Sequence, residues 1–353
     1  MATLCVGIDI AKATFVAAVA GPGGLAAWGS FTNSPAGFEQ LRQQVITAQA
    51  RTDGAAVLLV LEPTGGYELA LAGYGAEQGW AVSRPNAKRV HDWAKSQGRR
   101  AKTDQLDAST LARYGASQPP APWQPLPRAY SELESLLRRQ DDLAKMVQEE
   151  HNRQAALALK ADSAPAVSAS LAAVLAALAQ AEREIKQALQ AHLQAHPALK
   201  AKAKRLRTVP GIGEQSVLHI LVLLARWDTL TQGQGQAKGL VAYTGLDPQT
   251  YTSGTSVYKP ARISRMGPRQ MRRRLYMAAF GGVRGRSPLG DFYQRLIGRG
   301  KAKRLAVTAA ARKILIWAWA VYRTDTDFER ERHAKSISAT HPAQPAQPMV
   351  QTA

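Results

Sequence analysis

The sequence predicts a mixed α/β domain, a long helical hairpin and a mainly helical basic domain, in that order. Three observations support this prediction. Short apolar runs alternate with helix-like segments over residues 1–118, apolar residues recur at helical spacing after a proline-rich stretch, and positive charge is concentrated towards the C-terminus. A chain of 353 residues is long enough to bury at least one full core, and its length suggests two domains.

The first domain, residues 1–118, begins with three closely spaced strand candidates, and the later elements alternate. The predicted strands and helices are Cys5–Asp9, Phe15–Ala20, Leu25–Phe31, helix Ala36–Ala48, strand Ala55–Leu61, helix Tyr67–Gln78, strand Ala81–Arg84 and a helix from Asp104. Three hairpin-linked strands followed by alternating helices and strands favour a mixed sheet of the ribonuclease-H type.

A proline-rich linker, residues 119–129, ends this domain, because five prolines between positions 119 and 127 would interrupt any helix or central strand. Residues 130–205 then predict a helical hairpin, whose apolar stripe includes Leu133, Leu136, Leu143, Met146 and Val147, and later Leu171, Val174, Leu178, Ile185 and Leu189. The narrow stripe suits a coiled-coil seam with another chain, or a hairpin that folds on itself or on its own domain, and both interpretations remain open. Residues 206–330 form the basic domain, and residues 331–353 are predicted to be disordered.

Four carboxylates in the first third of the chain are the strongest functional signal. Asp9 and Glu62 each lie at the end of a predicted buried strand, whereas Asp104 and Asp107 lie three residues apart at a predicted helix start, with Thr103 as N-cap. Two Mg²⁺ ions about 4 Å apart, held by such oxygens, can clamp the attacking and leaving oxygens of a phosphodiester. The alternative is that Asp104 and Asp107 merely favour a helix N-terminus while Asp9 and Glu62 cap turns.

Composition points to a partner rich in phosphate. The chain has 46 Lys and Arg against 26 Asp and Glu, a net charge of +20. A membrane partner is disfavoured because no apolar run approaches the roughly 20 residues that a span needs. The single cysteine, Cys5, excludes a disulfide framework and a cysteine-rich zinc site, which places the chain in a reducing cytoplasm.

The basic domain contains two motifs of interest. Between Thr255 and Lys313 there are 16 Lys or Arg and a single acid. The segment Val209–Glu214 has the form of a helix-hairpin-helix, in which Gly211 and Gly213 would let backbone N–H groups approach a phosphate. A Pro-Gly turn between two packed helices explains the same segment without a ligand.

A hydroxyl-rich loop, Tyr251–Tyr258, could supply a nucleophile, although such loops are usually only turns. Trp93 and Tyr114 could stack on bases or belong to the core. The seven histidines are scattered without recognisable metal-ligand spacing and are given no catalytic role. The predicted nucleic-acid contacts are Lys88, Arg89, Arg99, Arg100, Lys102, Gly211, Gly213, Lys259, Arg262, Arg265, Arg272, Arg273 and Arg274.

The ordered motifs GIDIAK, LEPTGGY, KTDQLDA, PGIG, LVAYTGLDP, YTSGTS, RMG and RRRLYMAAF resemble those of the DEDD transposases of the insertion sequence 110 family, over about residues 4–322. Members are described as bridge-RNA-guided recombinases. The resemblance implies a RuvC-like N-terminal domain, a coiled-coil hairpin and a C-terminal transposase domain with a reactive serine. It also implies that Asp9, Glu62, Asp104 and Asp107 are the metal-binding tetrad and that Ser253 is the nucleophile, with Ser256 as the fallback.

The same resemblance implies Mg²⁺ at the tetrad, a phosphoserine intermediate, donor and target double-stranded DNA, a structured bridge RNA, and a homo-oligomer between dimer and tetramer in the bacterial nucleoid. Three other classes remain to be weighed. Actin-like sugar kinases also begin with a GID strand, but they need further phosphate loops and gain nothing from a charge of +20. A junction-resolving nuclease would use the four acids with water, and a binding protein would use neither acids nor serine.

Overall fold

The computed structural model describes residues 2–98, 104–118, 122–160, 162, 164–253 and 257–329, with the backbone alone for Asp104, 250–253 and 257–261. The chain forms two compact units, one from Met1–Leu126 with Asp228–Gln234 and one from Pro127–Trp227 with Gly235–Ala353. Several predictions fall outside the described residues: those for Arg99, Arg100, Lys102 and Ser256, and the disordered tail 331–353.

A mixed five-stranded sheet forms the centre of the first unit, as predicted. Its strands are β1 (Thr3–Ile10), β2 (Thr14–Gly21), β3 (Gly24–Thr32), β4 (Ala56–Leu61) and β5 (Ala81–Ser83), in the order β3-β2-β1-β4-β5. The pairs β1–β2 and β2–β3 are antiparallel, and β1–β4 and β4–β5 are parallel. This arrangement is consistent with a RuvC-like fold. β1 is covered on both faces, which explains its continuous apolar run.

Helices cover both faces of this sheet: α1 (Pro35–Ala50), α2 (Leu69–Glu77), α3 (Ala87–Ser96) and α4 (Asp104–Ser117). Phe38 and Leu41 of α1 pack with β1 and β4 on one face, whereas Leu111 of α4 and Val90 of α3 pack against Val60 on the other. Helix α3 is not among the elements predicted from the sequence; it is strongly basic and buries Val90. α2 begins two residues later than predicted because residues 65–68, directly before it, form a turn.

The second unit is mainly helical. Its elements are α5 (Arg128–Leu157), α6 (Pro165–Ala195), α7 (Pro197–Leu206), α8 (Glu214–Leu230), α9 (Ala237–Tyr243), β6 (Pro248–Ser253), β7 (Val257–Ile263), α10 (Arg269–Gly282), α11 (Pro288–Gly298) and α12 (Lys303–Thr324). α5 and α6 pack against each other as a helical hairpin. β6 and β7 pair antiparallel, so both ends of the predicted hydroxyl-rich loop are strand residues.

Two of these helices, α6 and α12, are long and apolar enough to cross a membrane by length and composition, each with a mean hydropathy of 1.3. The expectation that no segment approaches this length was therefore wrong. Both remain weak evidence for a membrane. α12 is mostly buried and packs against α7, α9, α10 and α11, as the core helix of its unit would. α6 is exposed along its apolar stretch, and alanine is its commonest residue.

Candidate functional site

Asp9 and Glu62 lie side by side at the carboxyl ends of two parallel neighbours. The last registered pair of β1 and β4 is Ile8 with Leu61, so the next residue on each chain is one of these acids. Ile8 and Leu61 are fully buried on the α1 face of the sheet. Because strand side chains alternate, Asp9 and Glu62 both point to the opposite face, which α4 covers. Both are half-buried there.

Helix α4 crosses that face so close to β1 that no side chain fits between them at Gly7. A Cβ on Gly7 would lie 2.2 Å from the carbonyl oxygen of Ala108 and 2.2 Å from the nitrogen of Ala112. Further along the same helix, a Cβ on Gly115 would meet Val60 and Cys5. Glycine is therefore required at position 7 because there is no room for a side chain. Its φ is not positive, so the backbone conformation does not itself require glycine.

The same contacts set the direction of α4. Its C-terminal part lies over Cys5 and its middle over Gly7, so its N-terminus points towards the end of β1 that carries Asp9. Asp104 precedes Ala108 by four residues, about 6 Å along the helix, and Asp9 follows Gly7 by two residues, about 6.6 Å along the strand. Asp104 and Asp9 are thus level with each other.

Asp107 lies on the same side of α4. It precedes Leu111 by one turn, and Leu111 is buried against the sheet. Asp107 is half-buried, whereas only the backbone of Asp104 is described. The backbone therefore brings the strand ends with Asp9 and Glu62 to the helix start with Asp104 and Asp107.

Two residues that the sequence analysis did not single out hold the loops beside these acids. Asn33 donates its side-chain N–H to the carbonyl of Ala11, at 3.1 Å, and to that of Tyr67, at 3.3 Å. Ala11 follows β1 and Tyr67 follows β4, so one amide ties together the loops after both acidic strand ends. Its effect arises between segments 34 residues apart, and local sequence patterns give no sign of it.

Glu68 organises the loop that follows Glu62. Its fully buried carboxylate accepts N–H groups from Thr64, at 3.2 Å, and Gly66, at 3.0 Å, and it pairs with Arg84 after β5. Burial raises the pKa of Glu68, but backbone hydrogen bonds and the charge of Arg84 outweigh it and lower the pKa overall. Glu68 is therefore a charged structural anchor, distinct from the four predicted acids.

The cations predicted to guide DNA towards this site lie partly on α3. Lys88 and Arg89 are both exposed, and Lys88 forms a surface ion pair with Asp92 at 2.6 Å. Trp93 and Tyr114 pack edge to face, 5.6 Å between ring centres, and Tyr114 also contacts the apolar cluster around Val60. The core interpretation of Tyr114 thus has direct structural support.

In the second unit, the turn between α7 and α8 contains the two glycines of the predicted helix-hairpin-helix. Gly211 has a φ of +95°, and a Cβ there would lie 2.8 Å from Ile314 and 3.0 Å from the carbonyl of Ala278. Gly213 is exposed, and its N–H is bonded to Ser216 at 3.2 Å. Gly211 is thus explained by packing, as the alternative interpretation proposed.

Ser253 is the last residue of β6, and its side chain is not among those described. Contacts at the base of the β6–β7 hairpin are close. The side chains of Asp247 and Ser264 are hydrogen-bonded, and the Arg265 N–H donates to the Gly245 carbonyl at 3.1 Å. A Cβ on Gly267 would lie 2.2 Å from the Tyr243 carbonyl, so the two chain segments are in backbone contact.

The predicted DNA-binding arginines near this hairpin differ in their environments. Arg262, Arg265 and Arg273 are exposed. Arg272 donates to the carbonyls of Thr244 and Gly267, and burial lowers its pKa. Arg274 pairs with Asp141 of α5. Arg272 and Arg274 are therefore engaged in internal contacts, whereas only the backbone of Lys259 is described.

The interpretation of the histidines as lacking metal-ligand spacing was wrong. Within the described part of the chain, Glu132, His192 and His196 bring one ligand atom each to within 4.8 Å of one another. His192 and His196 are four residues apart, a spacing that puts two imidazoles on one helix face. The sequence signal was present, but its carboxylate partner lies 60 positions away.

Comparison with known proteins gives a consistent result along the chain. Residues 6–161 match a family model described as a DEDD transposase of the IS110 type, and residues 203–294 match one for transposases of the IS116/IS110/IS902 family. The chain is 32% identical over 337 residues to pilin gene-inverting proteins of Moraxella lacunata and Moraxella bovis, covering 94% of this chain and 100% of theirs. It is also 30% identical over 128 residues, 35% of this chain and 29% of the other, to an insertion element IS110 protein of Streptomyces coelicolor.

Proposed function

Because this chain belongs to the IS110 family of DNA transposases and recombinases, we propose that it cuts and rejoins DNA with Asp9, Glu62, Asp104, Asp107 and Ser253. One observation carries the proposal: the N-terminus of α4 is level with the ends of β1 and β4 because α4 packs directly on Gly7. Residues separated by almost a hundred positions in the sequence thus come to one edge of the sheet.

The donor set at this edge suits Mg²⁺. DEDD transposases use a divalent metal, and hard divalent cations prefer carboxylate oxygens. Asp9, Glu62, Asp104 and Asp107 would hold two such ions. When bound, the ions would stabilise the charge that develops on the attacked phosphate and on the leaving oxygen. The protein itself contributes the fixed spacing of strand ends and helix start, and the Asn33 and Glu68 contacts that hold the adjoining loops.

Ser253 is the proposed nucleophile. Its Oγ forms a bond to the scissile phosphorus while the bond from phosphorus to the leaving deoxyribose oxygen breaks; the serine gives up a proton and the leaving oxygen takes one up. The phosphoserine retains the ester bond, so reversal with a different strand end joins DNA without an energy source. Arg262 and Arg265 are exposed near the base of the same hairpin, where they can contact neighbouring phosphates of the DNA backbone.

The names of the relatives support a reaction that rejoins DNA strands over one that only hydrolyses them. Proteins named as gene-inverting align over 94% of this chain. Inverting a DNA segment requires that every cut end be joined again, which a water-dependent nuclease does not do. The alternative function, a junction-resolving nuclease in which Ser253 is idle, therefore has less support.

The proposed partners are donor and target DNA and a structured guide RNA, in the bacterial cytoplasm. Guide pairing would leave the protein to contact backbone and shape, for which a net charge of +20 is suited. A homo-oligomer is also proposed. The distal half of the α5–α6 hairpin exposes Met146, Leu159, Val167 and Val174, and a second copy could cover this apolar surface.

Trapping of a covalent adduct tests the serine. A plasmid carrying the gene with its flanking DNA would be incubated with the protein, denatured and digested, and the DNA-linked peptide identified by mass spectrometry. We expect phosphonucleotide on Ser253, no adduct with Ser253→Ala, and a normal adduct with Ser256→Ala as the matched control. Cleavage by Ser253→Ala without a covalent adduct would instead establish water as the nucleophile, and an adduct that is lost only in Ser256→Ala would assign the nucleophile to Ser256.

The acids and the guide need separate measurements. Asp104→Asn is expected to abolish strand cleavage while DNA binding by gel shift is retained; unchanged cleavage would contradict the tetrad. Sequencing of RNA purified with the wild-type protein is expected to give one structured species from DNA beside the gene. Bulk cellular RNA would contradict guided recombination and leave the serine chemistry intact.

A further inference from the structure

A second group of metal-ligating side chains lies where the two ends of the helical hairpin meet. Glu132 is in the second turn of α5, His192 is in the last turn of α6, and His196 is the residue between α6 and α7. The backbone N–H of His196 still donates to the carbonyl of His192 at 3.1 Å, so helical spacing continues through both histidines. Their rings are 4.4 Å apart between centres.

The hydrogen bond of His192 fixes its tautomer. Its Nε2 lies 2.8 Å from the carbonyl oxygen of Ala129 in the first turn of α5. Because a carbonyl only accepts, Nε2 carries the proton and the Nδ1 of the neutral ring keeps its lone pair. A backbone carbonyl at the second nitrogen is also the usual way in which proteins orient a metal-binding imidazole.

Glu132 divides its two oxygens between different partners. Oε1 accepts from Arg128 at 2.7 Å, and Oε2 lies 3.8 Å from Nδ1 of His192. The hydrogen bond from Arg128 is the main reason why the pKa of Glu132 is lowered, so the group is a carboxylate at neutral pH. A distance of 3.8 Å is too long for a hydrogen bond. It is close to the roughly 3.4 Å that separates two ligands of one tetrahedral ion with bonds of about 2.0–2.1 Å.

We propose that Glu132, His192 and His196 form a site for a divalent transition metal of the Zn²⁺ class, with water as the fourth ligand. Two imidazoles and one carboxylate suit Zn²⁺, Co²⁺ or Ni²⁺, whereas Mg²⁺ prefers oxygen alone. The site is therefore chemically distinct from the four-carboxylate edge of the sheet.

The position of the three ligands indicates what the ion does. They come from the start of α5, the end of α6 and the single residue between α6 and α7. A bound ion would fasten the base of the hairpin and fix the angle at which α7 leaves α6. Binding of this ion does not depend on the proposed serine nucleophile or on the proposed guide RNA.

Cobalt titration of the full-length protein tests the site. The protein would be stripped with chelator, returned to buffer with excess Mg²⁺ to occupy carboxylate sites, and titrated with Co²⁺, whose visible absorption is intense only in four-coordinate sites. We expect intense absorption that saturates at one equivalent of Co²⁺ and disappears when Zn²⁺ displaces the cobalt. His196→Ala and Glu132→Gln should each weaken Co²⁺ binding at least tenfold, with circular dichroism unchanged.

Two control variants distinguish Co²⁺ bound at this site from Co²⁺ bound elsewhere on the protein. His151→Ala removes an exposed histidine of α5 and should leave the titration unchanged, as should Asp9→Asn at the sheet edge. Loss of the cobalt signal in Asp9→Asn but not in His196→Ala would overturn the proposal, as would the absence of four-coordinate absorption in the wild type. If both ligand variants unfold, hydrogen exchange of the wild-type protein is measured with and without Zn²⁺. We expect Zn²⁺ to protect the α6–α7 junction from exchange, and an absence of protection there would contradict the site.

Discussion

The contact between Gly7 and α4 gives the sharpest test of how this protein brings its acids together. In Gly7→Ala the new Cβ would start 2.2 Å from two backbone atoms of α4, and ordinary contact begins at 3.4 Å. The helix must therefore retreat by about 1.2 Å. Since the obstructing atoms belong to the backbone, no shortening of an α4 side chain can relieve the clash. We expect a loss of stability of about 3 kcal/mol, the upper end for overpacking of a core.

The same retreat carries Asp104 and Asp107 away from Asp9 and Glu62. A misplacement of about 1 Å in a catalytic arrangement costs on the order of 100-fold in rate. We therefore expect Gly7→Ala to form recombinant junctions about 100-fold less often, measured by sequencing junctions from a plasmid that carries the gene and its flanking DNA.

The matched control is Gly23→Ala, in the turn between β2 and β3, where an added Cβ has nothing within 4 Å. This variant should keep wild-type stability in urea unfolding and wild-type junction frequency. Normal stability and normal activity of Gly7→Ala would refute the packing of α4 on β1. Normal activity with reduced stability would instead refute the claim that this packing positions the acids.

Three further predictions concern charges. Glu68→Gln should destabilise the first unit by about 3 kcal/mol in thermal unfolding, because it leaves the partly buried Arg84 without its buried counter-charge. An unchanged unfolding midpoint would contradict the role of Glu68 as an anchor. Hydrogen bonds from the side chains of Arg42, Gln43 and Tyr74 lower the pKa of Glu39 to about 2. The ionised Glu39 therefore stabilises the folded protein above pH 4.5, and this contribution is lost as the pH falls towards 2. Glu39→Gln should therefore flatten that part of the stability profile. Arg273→Gln should reduce the salt slope of DNA binding by about 1, whereas Arg274→Gln, which loses an internal ion pair, should lower stability and leave the slope unchanged.

Much of the first unit could be predicted because its determinants are local. β1 and β4 are buried on both faces and therefore read as continuous apolar runs, and an acid at the end of each run is visible in the sequence. Helix α3 was missed because it is only ten residues long, is rich in charge and buries a single residue, Val90. Asn33 was missed for a different reason: it acts by joining two loops, and only the folded sheet brings those loops together.

Composition predicted a basic surface but could not assign each cation to it. Arg272, Arg273 and Arg274 are consecutive, and consecutive residues of a helix point in different directions. Arg273 is exposed, whereas its two neighbours bind backbone carbonyls of the same unit and an acid of α5. Charge counts therefore predict the partner class more reliably than they predict individual contacts.

The motifs around the β6–β7 hairpin have a structural explanation that is separate from the chemistry. LVAYTGLDP ends α9 and RMG precedes α10, and Gly245 and Gly267 bring the two segments into backbone contact at the base of the hairpin. Arg272 then bonds carbonyls of both segments. The proposed nucleophile at the end of β6 depends on how rigidly the β6–β7 hairpin is attached to its unit, because any tilt where the hairpin begins is transmitted to its tip. The identity of the residues next to the nucleophile matters less. The residues that make these motifs recognisable thus position the hairpin, and the proposed reaction adds the requirement for the Ser253 hydroxyl.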